Sequence, residues 1–476
     1  MKHAQNLIDG EWVGTVSVER RNPADNDEVV SLRSESTSVD VDEAVSAAAE
    51  AQAGWATQGS VKRGSVLLDA ADLLWQRQVE IAEDLTREEG KTLVESMGEV
   101  RRAIDVLRFF GALGWHASGE SLPSVVPNTA VTTRVEPLGV VGIITPWNFP
   151  IAIPAWKMAP ALVSGNGVVL KPADLTPLSA NHLTRALLDA GLPAGVLNVV
   201  HGGGTAGDVL VRHRNVAAIS FTGSTAVGRG IFDLVNARRA RVQLEMGGKN
   251  AYLVLDDADS ESAASVVAAG AFGLTGQACT ATSRVYVTPG IRDSFVAALR
   301  ARAMAVRPGN GLDKESSMGP VVSAAQLEKD CSAIRAAREA GYASGGDIAP
   351  ARQQFLDPVV FSDVPHDSPL ARDEVFGPVV AVIDTKDYEE GLAWVNDSSY
   401  GLTAGICTND LAKAHDFAAR VQVGVVKVNR PTTGLDLNVP FGGVRDSSTN
   451  TFREQGVRAI DFYTWSKSVY MGHDAS

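Results

Sequence analysis

The chain has 476 residues, with 43 Lys and Arg against 56 Asp and Glu, a net charge of −13 at pH 7. Length alone suggests about three domains at roughly 150 residues each, and a composition of 45% apolar and 21% charged residues excludes wholesale disorder. The acidic balance argues against nucleic-acid or anionic-membrane partners, which select concentrated basic surface, and the three cysteines, Cys279, Cys331 and Cys407, exclude a disulfide scaffold.

The opening segment, MKHAQNLIDGEWVG, has no apolar h-region, and no run reaches about 18 apolar residues. A cytoplasmic protein without a membrane partner is therefore expected. The first 40 residues read as short strands and turns, with NPAD at 22–25 as a turn signal. Three helices follow, at 39–56, 63–89 and 96–115; Leu67, Ala71 and Leu74, then Val100, Ile104 and Leu107, recur at helical spacing. They read as amphipathic packing helices without chemistry. The segment 123–137 fits no helix and reads as an excursion of paired strands. From 138 onward, short β-rich runs alternate with helical lengths: 139–144, 168–170, 197–200, 218–221 and 242–245. A second series begins at 251 and continues at 284–287, 379–383, 404–407 and 423–428. This is the rhythm of parallel, doubly wound sheets, and two series imply two α/β domains with a ligand cleft between them. The stretch 459–471 reads as a strand, and strands outside the main sheets suit an oligomer interface.

Several loops carry residues of chemical interest. GGGTAG (202–207), between a strand and a helical run, matches the dinucleotide pattern G-x-G-x-x-G but is equally a flexible turn. In FTGSTAVG (221–228), Gly223 permits close approach, Ser224 can donate to a phosphate, and the following helix N-terminus favours an anion. Lys171 and Asp174, just past a strand in VVLKPADLTP, could hold ribose hydroxyls or form a surface ion pair. Cys279, among small residues in TGQACTATSR, is a candidate nucleophile or a buried thiol. Glu245, ending VQLE before a double glycine, is a candidate general base or an ion-paired carboxylate. Asn148, in the rigid TPWNFP turn, could donate to an oxyanion or close an Asx turn. The eight histidines lack metal-ligand spacing, so no metal site is expected.

Taken in order, TPWNFP (145–150), SGNGVVLKPADLTP (164–177), FTGSTAVG (221–228), LEMGGKN (244–250), GQACTATSR (276–284), EVFGPVV (374–380) and PFGG (440–443) resemble the aldehyde dehydrogenase superfamily across nearly the whole chain. The resemblance implies a Rossmann-type NAD(P) domain at 1–122 and 138–246, an α/β catalytic domain at 247–440, and an oligomerisation arm at 123–137 and 457–476. It implies Cys279 as nucleophile, Glu245 as base for the deacylating water, and Asn148 with the Cys279 N–H as oxyanion hole. Thr145, Trp147, Lys171, Asp174, Gly223, Ser224, Glu374 and Phe376 become cofactor contacts, and Gly204 falls near the adenine rather than the pyrophosphate. The presence of Glu245 favours hydrolysis over transfer to CoA. The segments 151–162 and 428–443 resemble the 2-oxoglutarate-semialdehyde dehydrogenases, whereas succinate-semialdehyde relatives usually place arginines where Trp156 and Gly273 stand. Arg430 is a candidate anchor for a substrate carboxylate, or a surface arginine. A carboxylate at Asp174 leans the cofactor toward NAD over NADP, and a homodimer or homotetramer is implied.

Overall fold

The computed structural model describes residues 1–116, 119–345 and 353–473; parts of the expected spans 1–122, 247–440 and 457–476 lie outside the described residues. Its first large sheet runs, edge to edge, Arg241–Met246, Val216–Gly223, Val140–Ile144, Gly167–Lys171, Leu197–Val199, Asn6–Ile8 and Glu11–Val13. The first five strands are parallel, and the two N-terminal strands add antiparallel to the edge. Every residue of Val140–Ile144 and Gly167–Lys171 is buried, which is why they read as continuous apolar runs. Chain order along the sheet reverses beside Val140–Ile144: the next strand in sequence pairs on one side, while Val216–Gly223 pairs on the other. Ligands of open parallel sheets bind beyond the carboxyl ends at such a switch point.

The helices Ser38–Thr57, Ser60–Glu89 and Leu93–Leu113 lie close to the expected spans. Thr37 with Asp40, and Thr92 with Glu95, start the first and third with reciprocal capping boxes. The second and third pack their apolar faces with Leu162, Leu170 and Leu187 into one core; the first gives Trp55 to that core and Val41, Ala44, Val45 and Ala48 to another, with Ile219, Phe221 and Leu244, on the opposite face of the sheet.

The second large sheet runs Ala343–Gly345, Val359–Ser362, Val379–Asp384, Arg284–Val287, Ala251–Val254, Thr403–Cys407 and Val425–Val428, parallel except for Ala343–Gly345. Two of its strands went unread in the sequence. Val359–Ser362 is a four-residue buried run too short to show a period, and Ala343–Gly345 is three small residues.

The segment 123–137 and the C-terminal stretch do meet. Thr129–Pro137 pairs antiparallel with Thr464–Gly472 along nine residues, and Ser121–Leu122 adds a third strand. The expected strand at 459–471 needs correcting at its start: Ala459–Tyr463 is a short helix. Phe462 and Tyr463 bury their rings in the first core, which the out-and-in alternation of a strand edge would not allow. No helix among the described residues is long and apolar enough to cross a membrane.

Candidate active site

The TPWNFP turn leaves Val140–Ile144 at the switch point, and Gly223–Ser224 leaves the neighbouring strand beside it. Together they border a cavity of about 540 Å³ that also takes in Lys171, Asp174, Gly204, Thr145 and Trp147. Lys171 is buried, and burial pushes its pKa down against the pull of Asp174. Ser224 caps the helix Thr225–Ala237 through its backbone, and its hydroxyl makes no cap bond. The buried hydroxyls of Thr145 and Thr222 have no partner. A lysine, an acidic side chain, a helix N-terminus and unpartnered hydroxyls around one elongated cavity fit a dinucleotide. Missed in the sequence was Glu35, which accepts from the Gly203 N–H at 3.2 Å and pairs with Arg33 beside Lys171.

Pro146, Trp147, Thr222, Gly223 and Ser224 also line a second cavity of about 150 Å³, which carries Asn148, Cys279, Glu374 and Phe376. The Glu374 carboxylate accepts from the Gly248 N–H at 3.0 Å, and burial pushes its pKa up. Phe376 stands edge-on to Trp147, with centroids 5.5 Å apart. Gln326 and Lys329, from the helix Ala324–Glu339, complete this lining; nothing near them in the sequence marked them.

Cys279, half-buried, is shared with a third cavity of about 380 Å³. This one holds Glu245 and is walled by Phe149, Ile153, Trp156, Leu435 and Phe441. The thiol therefore sits where the cofactor-shaped space and an apolar tunnel meet. Burial, then Glu374, Glu245 and Glu454, push its pKa up to about 12. Glu245 is buried, accepts from the Gly443 N–H at 3.3 Å and leaves Oε1 without a partner. Burial and the neighbouring Glu454 hold its pKa well above the carboxylate range, against the pull of Lys157. Lys157 pairs with Glu454 and donates to Ser220 at 2.9 Å, and Glu454 accepts from the Trp156 indole at 2.8 Å.

Asn148 owes its position to a pair the sequence did not mark. Buried Lys91 donates to the Asn148 carbonyl at 2.6 Å and to Glu99 at 2.7 Å. The other Glu99 oxygen takes the N–H groups of Ile151 and Ala152 at 3.0 and 3.1 Å, capping the next helix. The Asn148 amide donates to the Gln277 carbonyl at 2.9 Å, two residues before Cys279. The reading of Leu93–Leu113 as mere packing is thus corrected: Glu95, Glu99 and Arg102 from it line the tunnel. Their spacing of three and four residues sets them on one face.

Arg430 is not brought to the site. It is exposed, donates to the carbonyl of Asn429 and is absent from the tunnel lining, although Thr433, Gly434 and Leu435 of the same loop are present. No cluster of three or more His, Cys, Asp and Glu suited to a metal ion occurs among the described residues.

Comparison with known proteins accords with this architecture. The aldehyde dehydrogenase family model matches residues 12–469. The chain is 45% identical to the 2,5-dioxopentanoate dehydrogenase of Saccharolobus solfataricus, over 99% of this chain and 100% of the relative. It is 46% identical to the alpha-ketoglutarate semialdehyde dehydrogenase of Haloferax volcanii, over 98% of each. Among solved structures, betaine aldehyde dehydrogenase from Staphylococcus aureus in complex with NAD+ superposes with a TM-score of 0.95 at 32% identity, over 99% of this chain and 96% of that one. With the mixed α/β fold shared and the match running almost end to end, the chain belongs to the aldehyde dehydrogenase family and is an NAD(P)-dependent aldehyde dehydrogenase.

Proposed function

We propose that the chain oxidises 2-oxoglutarate semialdehyde to 2-oxoglutarate. The relatives so named, 45% and 46% identical over essentially the whole chain, carry this reading. In the overall balance an aldehyde, water and NAD(P)+ give a carboxylate, NAD(P)H and two protons.

In this reading the Cys279 thiol loses its proton to solvent, and the sulfur adds to the aldehyde carbon. The negative charge that develops on the aldehyde oxygen meets the Asn148 amide and the Cys279 N–H, aimed in advance by the Lys91–Glu99 pair. When bound, the oxidised nicotinamide supplies the hydride acceptor. Thr145, Trp147, Lys171, Asp174, Gly204, Gly223, Ser224, Glu374 and Phe376 would hold that cofactor; their common cavities support the assignment. The remaining thioester is cleaved by water whose proton goes to Glu245, and the Glu454 carboxylate, paired with Lys157, stands beside it. No CoA is required.

NAD is the preferred cofactor in this proposal, because the carboxylates of Asp174 and Glu35, both near Lys171, would repel a 2′-phosphate. The two large sheets, and the three-stranded sheet of Ser121–Leu122, Thr129–Pro137 and Thr464–Gly472, support the division into NAD(P) domain, catalytic domain and arm. The exposed Trp465, Tyr470 and Met471 on the arm support a homodimer or homotetramer, and three unpaired cysteines support a cytoplasmic setting.

A second reading, a broad aliphatic or aromatic aldehyde dehydrogenase, is favoured by the apolar tunnel wall. A kcat/KM panel without CoA, run with NAD and NADP, separates the two. The first reading expects 2-oxoglutarate semialdehyde to exceed succinate semialdehyde and pentanal; equal rates on all three would reject it.

A further inference from the structure

The tunnel contains a pair of donors that no step above uses. Arg102 is the single lysine or arginine lining it among the described residues. Its guanidinium donates to Gln455 Oε1. Because arginine can only donate, the facing atom of that amide must be the oxygen, which leaves the Gln455 NH₂ turned elsewhere. That nitrogen is buried and has no partner, in a side chain only 1% exposed that lines the same cavity. Gln455 is also held in left-handed backbone, with φ 59°, between Glu454 and Gly456. A buried, unpaired N–H is costly, so a group that accepts from it is expected during the working cycle.

The other charges around the tunnel are already committed. Glu99 holds Lys91 and two backbone N–H groups. Glu95 caps Thr92 and takes the Leu274 N–H at 2.7 Å. Glu245 accepts from the Gly443 N–H, and burial holds its pKa raised. Burial pushes the Arg102 pKa down, against the pull of Asp436 and Asp105. What remains open is one cationic fork and one amide donor, in a chamber that begins at the Cys279 thiol.

We propose that Arg102 and Gln455 form the recognition site for the 2-oxo-acid end of the aldehyde, the guanidinium taking the carboxylate and the Gln455 amide the neighbouring 2-oxo oxygen. This assignment rests on the substrate reading above and replaces Arg430 as the carboxylate anchor. A planar guanidinium matches a carboxylate, whereas a neutral carbonyl is satisfied by a single amide N–H.

Three five-carbon aldehydes test it: 2-oxoglutarate semialdehyde, glutarate semialdehyde and pentanal. Arg102→Leu should lower kcat/KM on both acids by about 100-fold and leave pentanal within about 3-fold. Gln455→Leu should lower kcat/KM on the 2-oxo acid by about 10-fold and spare glutarate semialdehyde. Arg102→Lys should recover much of the acid-over-neutral ratio, because the charge returns. A parallel loss on pentanal, no loss on the acids, or a lysine variant no better than the leucine variant overturns the proposal. The unmodified enzyme judges the substrate reading separately: a preference for pentanal over both acids sinks that reading, whatever the variants do. Arg430→Ala in the same panel should change none of the three.

Discussion

At Cys279 the local electrostatics oppose the chemistry asked of it. Burial and three surrounding carboxylates hold the thiol near 12, so the free enzyme carries almost no thiolate at neutral pH. Alkylation of Cys279 by iodoacetamide in the free enzyme should therefore climb about tenfold per pH unit from about pH 7 to 10, and Glu374→Gln should accelerate it. A plateau below about pH 8 would contradict the environment described. Glu245 faces the complementary problem. A raised pKa makes its carboxylate a better proton acceptor but favours the protonated form, so deacylation should rise with pH as that proton leaves. Replacing it with glutamine should cut steady-state kcat by about 10²–10³-fold while preserving a burst of one NAD(P)H per site. Loss of the burst together with the steady rate would move Glu245 to an earlier step. Cys279→Ser should remove both.

The elements that carry these side chains are tied together by buried polar contacts. The loop before Cys279 bends at Gly276, with φ +66°, and a Cβ there would strike the backbone of Gly377 in the Glu374–Phe376 loop. That second loop is held from behind by the helix Ala324–Glu339, where Gln326 donates to the Val375 carbonyl at 3.0 Å and to Asp330 at 2.8 Å. Asp330 is fully buried, its second oxygen has no partner, and burial lifts its pKa to about 7. The folded chain therefore keeps this proton up to about pH 7, while the unfolded chain releases it above its ordinary value of 3.8. Stability from this group is complete below that lower value and is lost as pH rises through 7. Asp330→Asn should accordingly stabilise the protein by about 1–3 kcal/mol at pH 8 and change little near pH 4 in denaturant titrations. Destabilisation at pH 8 would mean that the charge has a partner the geometry does not reveal.

On the scale of the molecule, the site exists because two sheets and a helix from the N-terminal third converge. The first sheet supplies Asn148, Glu245 and the Gly223–Ser224 loop, loops of the second large sheet supply Cys279 and Glu374, and the helix Leu93–Leu113 supplies Glu99 and Arg102. Outside this convergence the three-stranded arm exposes Leu122, Trp465, Tyr470 and Met471. Such a strand edge, apolar and uncovered, favours pairing with another copy. On the proposed homo-oligomer, Tyr470→Asp with Met471→Asp should lower the mass toward that of one chain in light scattering while unfolding remains cooperative. An unchanged mass would reject the arm as an interface.

The linear sequence determined the strand series, the three N-terminal helices and the motifs around Cys279, Glu245, Asn148, Lys171 and Glu374. Buried parallel strands leave contiguous apolar runs, and loops that approach ligands need small residues at fixed offsets, so both signals are local. What only the tertiary structure decided are partnerships across long separations: Lys91 with Asn148, Lys157 with Glu454, Arg102 with Gln455. Each such residue looks unremarkable among its sequence neighbours, because a helix bearing Glu99 and Arg102 keeps its amphipathic pattern whether that face meets packing or a tunnel. Arg430 illustrates the converse: a charge in a suggestive motif points nowhere useful once the backbone is folded.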